Sequence, residues 1–160
     1  MFHASARSQV FFGIQNISNK EVLTPITVYG RLEATNCRFG NLDLSGDALF
    51  NDTIVNSVFV KGNFSAKKLS TKKIEVVGNV ETDSSTINRA SVTGNRVVFS
   101  NTKLDEIILR SKNDEEQVLI LKNRVSVASK IEFESGKGKI IVDSTVALPA
   151  NIIGATIVNI

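Results

Sequence analysis

Tryptophan is absent from this 160-residue chain, and tyrosine, methionine, cysteine and histidine occur once each. With His3 as the sole histidine, neither a histidine general base nor a histidine-ligated metal site is expected. With Cys37 as the sole cysteine, no disulfide can close within the chain, and a reducing compartment is favoured. No basic residue is placed to activate that thiol, so it reads as a buried structural group. No apolar run approaches the roughly 20 residues that span a bilayer, and the first residues, MFHASARSQVFFG, lack the sustained apolar centre of a secretory signal. The segment GKGK at 136–139 lacks the spacing and the hydroxyl of a phosphate-binding loop. The dense carboxylates, Asp105 with Glu106 and Asp114 with Glu115 and Glu116, read as solvated loops. The chain therefore reads as a non-enzyme without cofactor or metal. Net charge is only +3, from 19 basic and 16 acidic residues, and aromatics are not interleaved with the basic residues, so nucleic acid is not an expected partner.

What the chain does contain is a repeat. Gly30, Gly46, Gly62, Gly78 and Gly94 recur at a spacing of 16 residues. Two residues before each stands Val28, Leu44, Val60, Val76 or Val92. Four before stands Ile26, Leu42, Val58, Ile74 or Ala90. Apolar residues two apart share one face of a strand. The glycine that follows permits a bend that other residues resist, so these five are read as structural corners. A second apolar pair follows the corner in Leu32 and Ala34, Ala48 and Phe50, Phe64 and Ala66. A third apolar cluster appears at Phe39, at Ile54 and Val55, at Leu69 and at Ile87.

Short strands separated by corners, in a fixed period, describe one coil of a solenoid. At about 3.3 Å per residue, 16 residues give a perimeter of roughly 50 Å. One such coil cannot bury its apolar face alone, so several must stack. A β-sandwich also has many short strands, but its loops vary in length and would not hold glycine in one register. The expected fold is an all-β, single-domain parallel β-helix over residues 25–160, preceded by a tail over 1–24. After Gly94 the register drifts by one residue, RSKNDEEQ at 110–117 is expected to loop outward, and Gly138 and Gly154 are again 16 apart.

Neither end carries an evident polar cap. Phe11 and Phe12 lie near the start, and Ile152, Ile153 and Ile157 near the finish. Uncovered ends invite end-to-end stacking, which makes these five the candidate polymer interface. The other reading, that they fold back as caps, stays open. Lys61, Lys67, Lys68, Lys72 and Lys73 form the one basic cluster. It reads either as a solubilising face or as an electrostatic contact, the latter making the chain a monomeric binding module.

The units GRLEA (30–34) and GNFSA (62–66), with their preceding apolar pairs and the Val-rich, Trp-free composition, resemble bactofilins. That resemblance implies a right-handed β-helix, nucleotide-free polymerisation with copies of itself, peripheral association with the inner membrane from the cytoplasm, and recruitment of cell-wall enzymes. Many bactofilins begin with Met-Phe and a basic residue shortly after, as Met1, Phe2 and Arg7 do here. The resemblance thus assigns membrane contact to those three, with Phe entering the interface and Arg meeting anionic headgroups. Coils of strictly 16 residues and the apolar final stretch depart from the family pattern.

Overall fold

The computed structural model describes residues 8–111 and 113–160. Its elements are β1 (Gln9–Ser18), β2 (Glu21–Val22), β3 (Ile26–Thr35), β4 (Arg38–Asp83), β5 (Thr86–Thr93), β6 (Arg96–Ser100), β7 (Lys103–Arg110), β8 (Gln117–Lys122), β9 (Ser126–Phe133), β10 (Gly138–Val142), β11 (Asn151–Ile153) and β12 (Ala155–Asn159). Every pairing between them is parallel, and no helix is present among the described residues. The chain winds into a β-solenoid of about nine turns.

The ladder register gives the coil length directly. Gln9 pairs with Ile26, Ile26 with Leu42, Ser70 with Thr86 and Thr86 with Lys103, so the early coils take 16 or 17 residues. The expected drift is present, since Val80 pairs with Val97. Later coils widen, because Arg96 pairs with Val118 and Lys103 with Ser126. The agreement of Gly138 and Gly154 with the period is a coincidence: Gly138 stacks on Ala155 instead. The ladder also begins earlier than the proposed boundary at residue 25. β1 pairs residue for residue with β3 and is a full rung.

Each coil has three sides. On the first, Ile26, Leu42, Val58, Ile74, Ala90, Ile107 and Ile131 stack in one buried column. On the second side, large and small residues alternate. Leu32 shares its rung with Ala34, Ala48 with Phe50, and Phe64 with Ala66. Phe50 and Phe64 meet edge to face across adjacent rungs, centroids 5.7 Å apart. This alternation along and across the column fills a constant cross-section. The third side buries Phe39, Val55 and Ile87, whereas Ile54 points outward and is exposed.

The first corner is the glycine column. At Gly46 φ is 137°, and a Cβ there would sit 1.7 Å from the carbonyl oxygen of Gly30 in the rung before. Glycine is needed both for the backbone angle and for the close approach of stacked carbonyls.

The second corner carries no glycine. Asn19, Asn36, Asp52, Lys68, Ser84, Asn101 and Asn123 succeed one another in it, all with φ between 47° and 56°. Asn and Asp tolerate that left-handed conformation, and Lys does so at a cost. At four of these corners the next residue turns inward and ties the corner down. Cys37 Sγ, Thr53 Oγ1, Ser85 Oγ and Thr102 Oγ1 each donate to the carbonyl two residues earlier. Cys37 is buried, as expected, and its thiol also donates to Ile17 O at 3.3 Å.

The two corners should respond oppositely to substitution. Gly46→Ala is expected to lower stability by about 3 kcal/mol, from the added backbone clash and strain. Lys68→Gly, in contrast, should raise it by about 0.5 kcal/mol, the relief of a left-handed residue less the extra chain entropy. Thermal melting followed by circular dichroism separates the two outcomes.

Candidate functional site

The candidate surfaces are the two ends of the column and its three outer faces. At the N-terminal end, β1 pairs with β3 along one edge only, and its other edge has no ladder partner among the described residues. At the far end, β11 pairs only with β9 and β12 only with β10. An unpaired strand edge presents backbone donors and acceptors to any strand that can reach them.

The five candidate polymer residues divide by strand alternation. Phe11 lies over Val28, points inward and packs against the core. Ile152 stacks on Ile131 and Ile157 on Ile140, so both form part of the terminal face. Phe12 and Ile153 point sideways, at the rims. Phe12 is 73% exposed and stacks on Tyr29 at a centroid distance of 5.4 Å. Nine large apolar side chains are exposed among the described residues, and seven of them occupy the first and last coils: Val10, Phe12, Ile14, Leu23, Ile153, Ile157 and Ile160. Val10, Phe12 and Ile153 face outward, so their exposure is not simply a consequence of having no rung above or below.

The five lysines fall in a single coil, but winding spreads them around it. Lys61 precedes the glycine corner, Lys67 and Lys68 make the second corner, and Lys72 and Lys73 make the third. They do not converge on one face. Lys73 also pairs with Glu75 at 3.8 Å, and Lys61 lies 5.8 Å from the centre of the Phe59 ring. Met1, Phe2 and Arg7, the candidate membrane contacts, lie outside the described residues.

The chain leaves the column between β7 and β8, as expected, but both ends of the 110–117 stretch belong to it: Arg110 closes β7 opposite Thr93, and Gln117 opens β8. Gln117 is buried, and its side-chain amide donates to Gly94 O at 2.7 Å and Arg110 O at 2.8 Å. It seals the corner where the glycine column ends.

Sequence reasoning missed the second-corner column, whose signal was Asn36, Asp52 and Ser84 standing six residues after Gly30, Gly46 and Gly78; Lys68 at the same offset from Gly62, and Asn101 seven residues after Gly94, break the pattern. It also missed Asp143. Asp143 accepts hydrogen bonds from Asn123 N and Thr145 N, both at 2.8 Å, and from Thr145 Oγ1. The Thr145 hydroxyl in turn accepts from Arg124 N at 2.7 Å. Asn123 and Arg124 are both left-handed, with φ of 56° and 66°, and the pair Asp143–Thr145 satisfies their N–H groups.

The Thr145 hydroxyl first, then the N–H groups of Asn123 and Thr145, hold the Asp143 carboxyl below the ordinary Asp value, and burial opposes them weakly. A lowered carboxylate pKa stabilises the fold above the unfolded-state value of 3.8, and that contribution is lost as pH falls through the folded-state value. The final coil should therefore loosen in acid. Asp143→Asn should weaken it at neutral pH and flatten its melting temperature across the acid range. Hydrogen exchange at Asn123 and Arg124, measured against pH, reports the effect.

No family model, no curated protein and no solved structure matches this chain.

Proposed function

We propose that this chain is a bactofilin-like structural scaffold whose columns stack end to end into nucleotide-free filaments, lie at the membrane and recruit envelope partners along their sides. The observation that carries the reading is the concentration of exposed apolar side chains on the first and last coils, beside strand edges with no partner among the described residues. Stacking would bury those side chains and continue the ladder, with each new rung adding backbone hydrogen bonds at about 4.8 Å spacing. The membrane part of the reading rests on Met1, Phe2 and Arg7 and on the family resemblance. One such short anchor binds weakly, and a filament would supply it in many copies. The scattered lysines give the monomeric binding module no face of its own.

Purified protein is expected to elongate with concentration, seen by light scattering and negative-stain microscopy without nucleotide. Phe11→Arg and Ile157→Arg, one change at each end, should raise the concentration needed for assembly at least about tenfold, since either places a charge in an apolar contact. Ile157 is exposed on the last rung, so its replacement should lower the melting temperature only slightly, whereas Phe11→Arg also removes a contact with the core and should lower it further. A wild-type protein that stays monomeric at high concentration across a range of salt would rule out the filament.

A further inference from the structure

The outer face of the second side changes character halfway along the column. Its middle position is Glu33, then Leu49, in rungs two and three, followed by Ser65 and Glu81. In the next four rungs it is Val98, Ile120, Ile141 and Val158, stacked in direct register. Their inward neighbours, such as Val97 and Phe99, Leu119 and Leu121, Ile140 and Val142, are buried. These strands are therefore apolar on both faces, the pattern of parallel sheets that are covered on both faces. Val98 is 5% exposed, and Ile120, Ile141 and Val158 are half-buried.

Cations flank the ladder. Arg96 and Lys139 lie along one edge, on either side of Val118, and Lys122 lies on the other beside Ser100. None of the three makes an ion pair among the described residues. The one carboxylate in these rungs on this face, Asp143, is occupied by Asn123 and Thr145.

We infer that this face docks an acidic amphipathic helix of a partner protein. Three rung steps span about 14 Å, the length of roughly ten helical residues, so one short helix covers the whole ladder. Its apolar stripe meets Ile120 and Ile141, and its carboxylates meet the three cations. A second copy offering the same face would set Arg96, Lys122 and Lys139 against their own kind, which like-charge repulsion opposes. A bilayer calls for exposed apolar side chains, whereas Val98 is buried and Ile120, Ile141 and Val158 are half-buried. The inference does not depend on whether columns stack.

The probe is a designed peptide of about 16 residues, long enough to populate a helix, with leucines at helical spacing and glutamates on the flanks. Its counterpart carries lysines in place of the glutamates, and vesicles containing anionic phospholipid form a third arm. The glutamate peptide should bind saturably and gain helicity. Ile120→Asp with Ile141→Asp should weaken binding at least about tenfold. Lys122→Glu with Lys139→Glu, surface changes that leave the core untouched, should weaken it several-fold and reverse the preference toward the lysine peptide. Equal binding of the two peptides, absence of binding by the glutamate peptide, or binding to vesicles that the same variants abolish would each overturn the inference.

Discussion

Everything in this molecule depends on one constraint: each residue must fit above its equivalent in the rung below, about 4.8 Å away. The glycine corner shows the constraint at its tightest. Carbonyls of successive corners point into the space that the next Cβ would occupy, as Gly30 does beneath Gly46 and Gly46 beneath Gly62, where the distances would be 1.7 and 2.0 Å. The corner therefore propagates itself, because one glycine dictates the next. It ends only where a different group can receive the exposed carbonyl. Gln117 does this with its side-chain amide toward Gly94, and beyond it the corner widens into the loop between β7 and β8.

The second corner meets the same constraint by another route. Left-handed residues turn the chain without needing an absent Cβ, and after Asn36, Asp52, Ser84 and Asn101 a small hydroxyl or thiol satisfies a carbonyl two residues back. Lys68 and Ser84 hold the left-handed angle without the local preference of Asn, so the stacked neighbours impose it on them. Among the described residues no buried side-chain nitrogen or oxygen lacks a hydrogen-bond partner. That matters in a column whose inward corner positions include Thr53, Ser85 and Thr102, since a buried hydroxyl left unpaired would cost more than the hydrogen bond contributes.

The glycine period, with the apolar pairs before it, was enough to read the coil and its parallel stacking. Both signals come from geometry that tolerates one residue type, and such positions are legible in a single sequence. The second corner was not legible in the same way, because Asn, Asp, Lys and Ser share the left-handed angle and no single letter marks it. Ile54 was grouped with the inward residues because it adjoins Val55; alternation along the strand sends the two to opposite faces. The five lysines looked like a cluster because they are close in sequence. A coil of 16 residues with three sides turns a corner about every five or six residues, so Lys61, Lys67 and Lys73 sit at different corners. β1 was left outside the column because Gly13, which stands on Gly30, lies 17 residues before it, one residue off the period of 16.

The same geometry separates what the ends and the sides can do. A rung's backbone groups point along the column, so any new ladder must form at an end. The sides offer side chains alone. In the first half of the second side those are mostly polar, in keeping with a solvated face. In the second half the alternation stops, and Val98, Ile120, Ile141 and Val158 occupy positions where nothing in the stacking requires an apolar residue. Stability does not explain them, because the inward columns already supply the core. About nine rungs at 4.8 Å make a column roughly 43 Å tall. Stacked subunits would display that aliphatic ladder at the same interval, facing directions fixed by the twist from one copy to the next. A partner carrying two acidic helices would then hold a filament far more tightly than a single column, since its second contact forms at the high effective concentration set by the first. End contacts and side contacts would thus be coupled without touching, with assembly setting the valency of the surface.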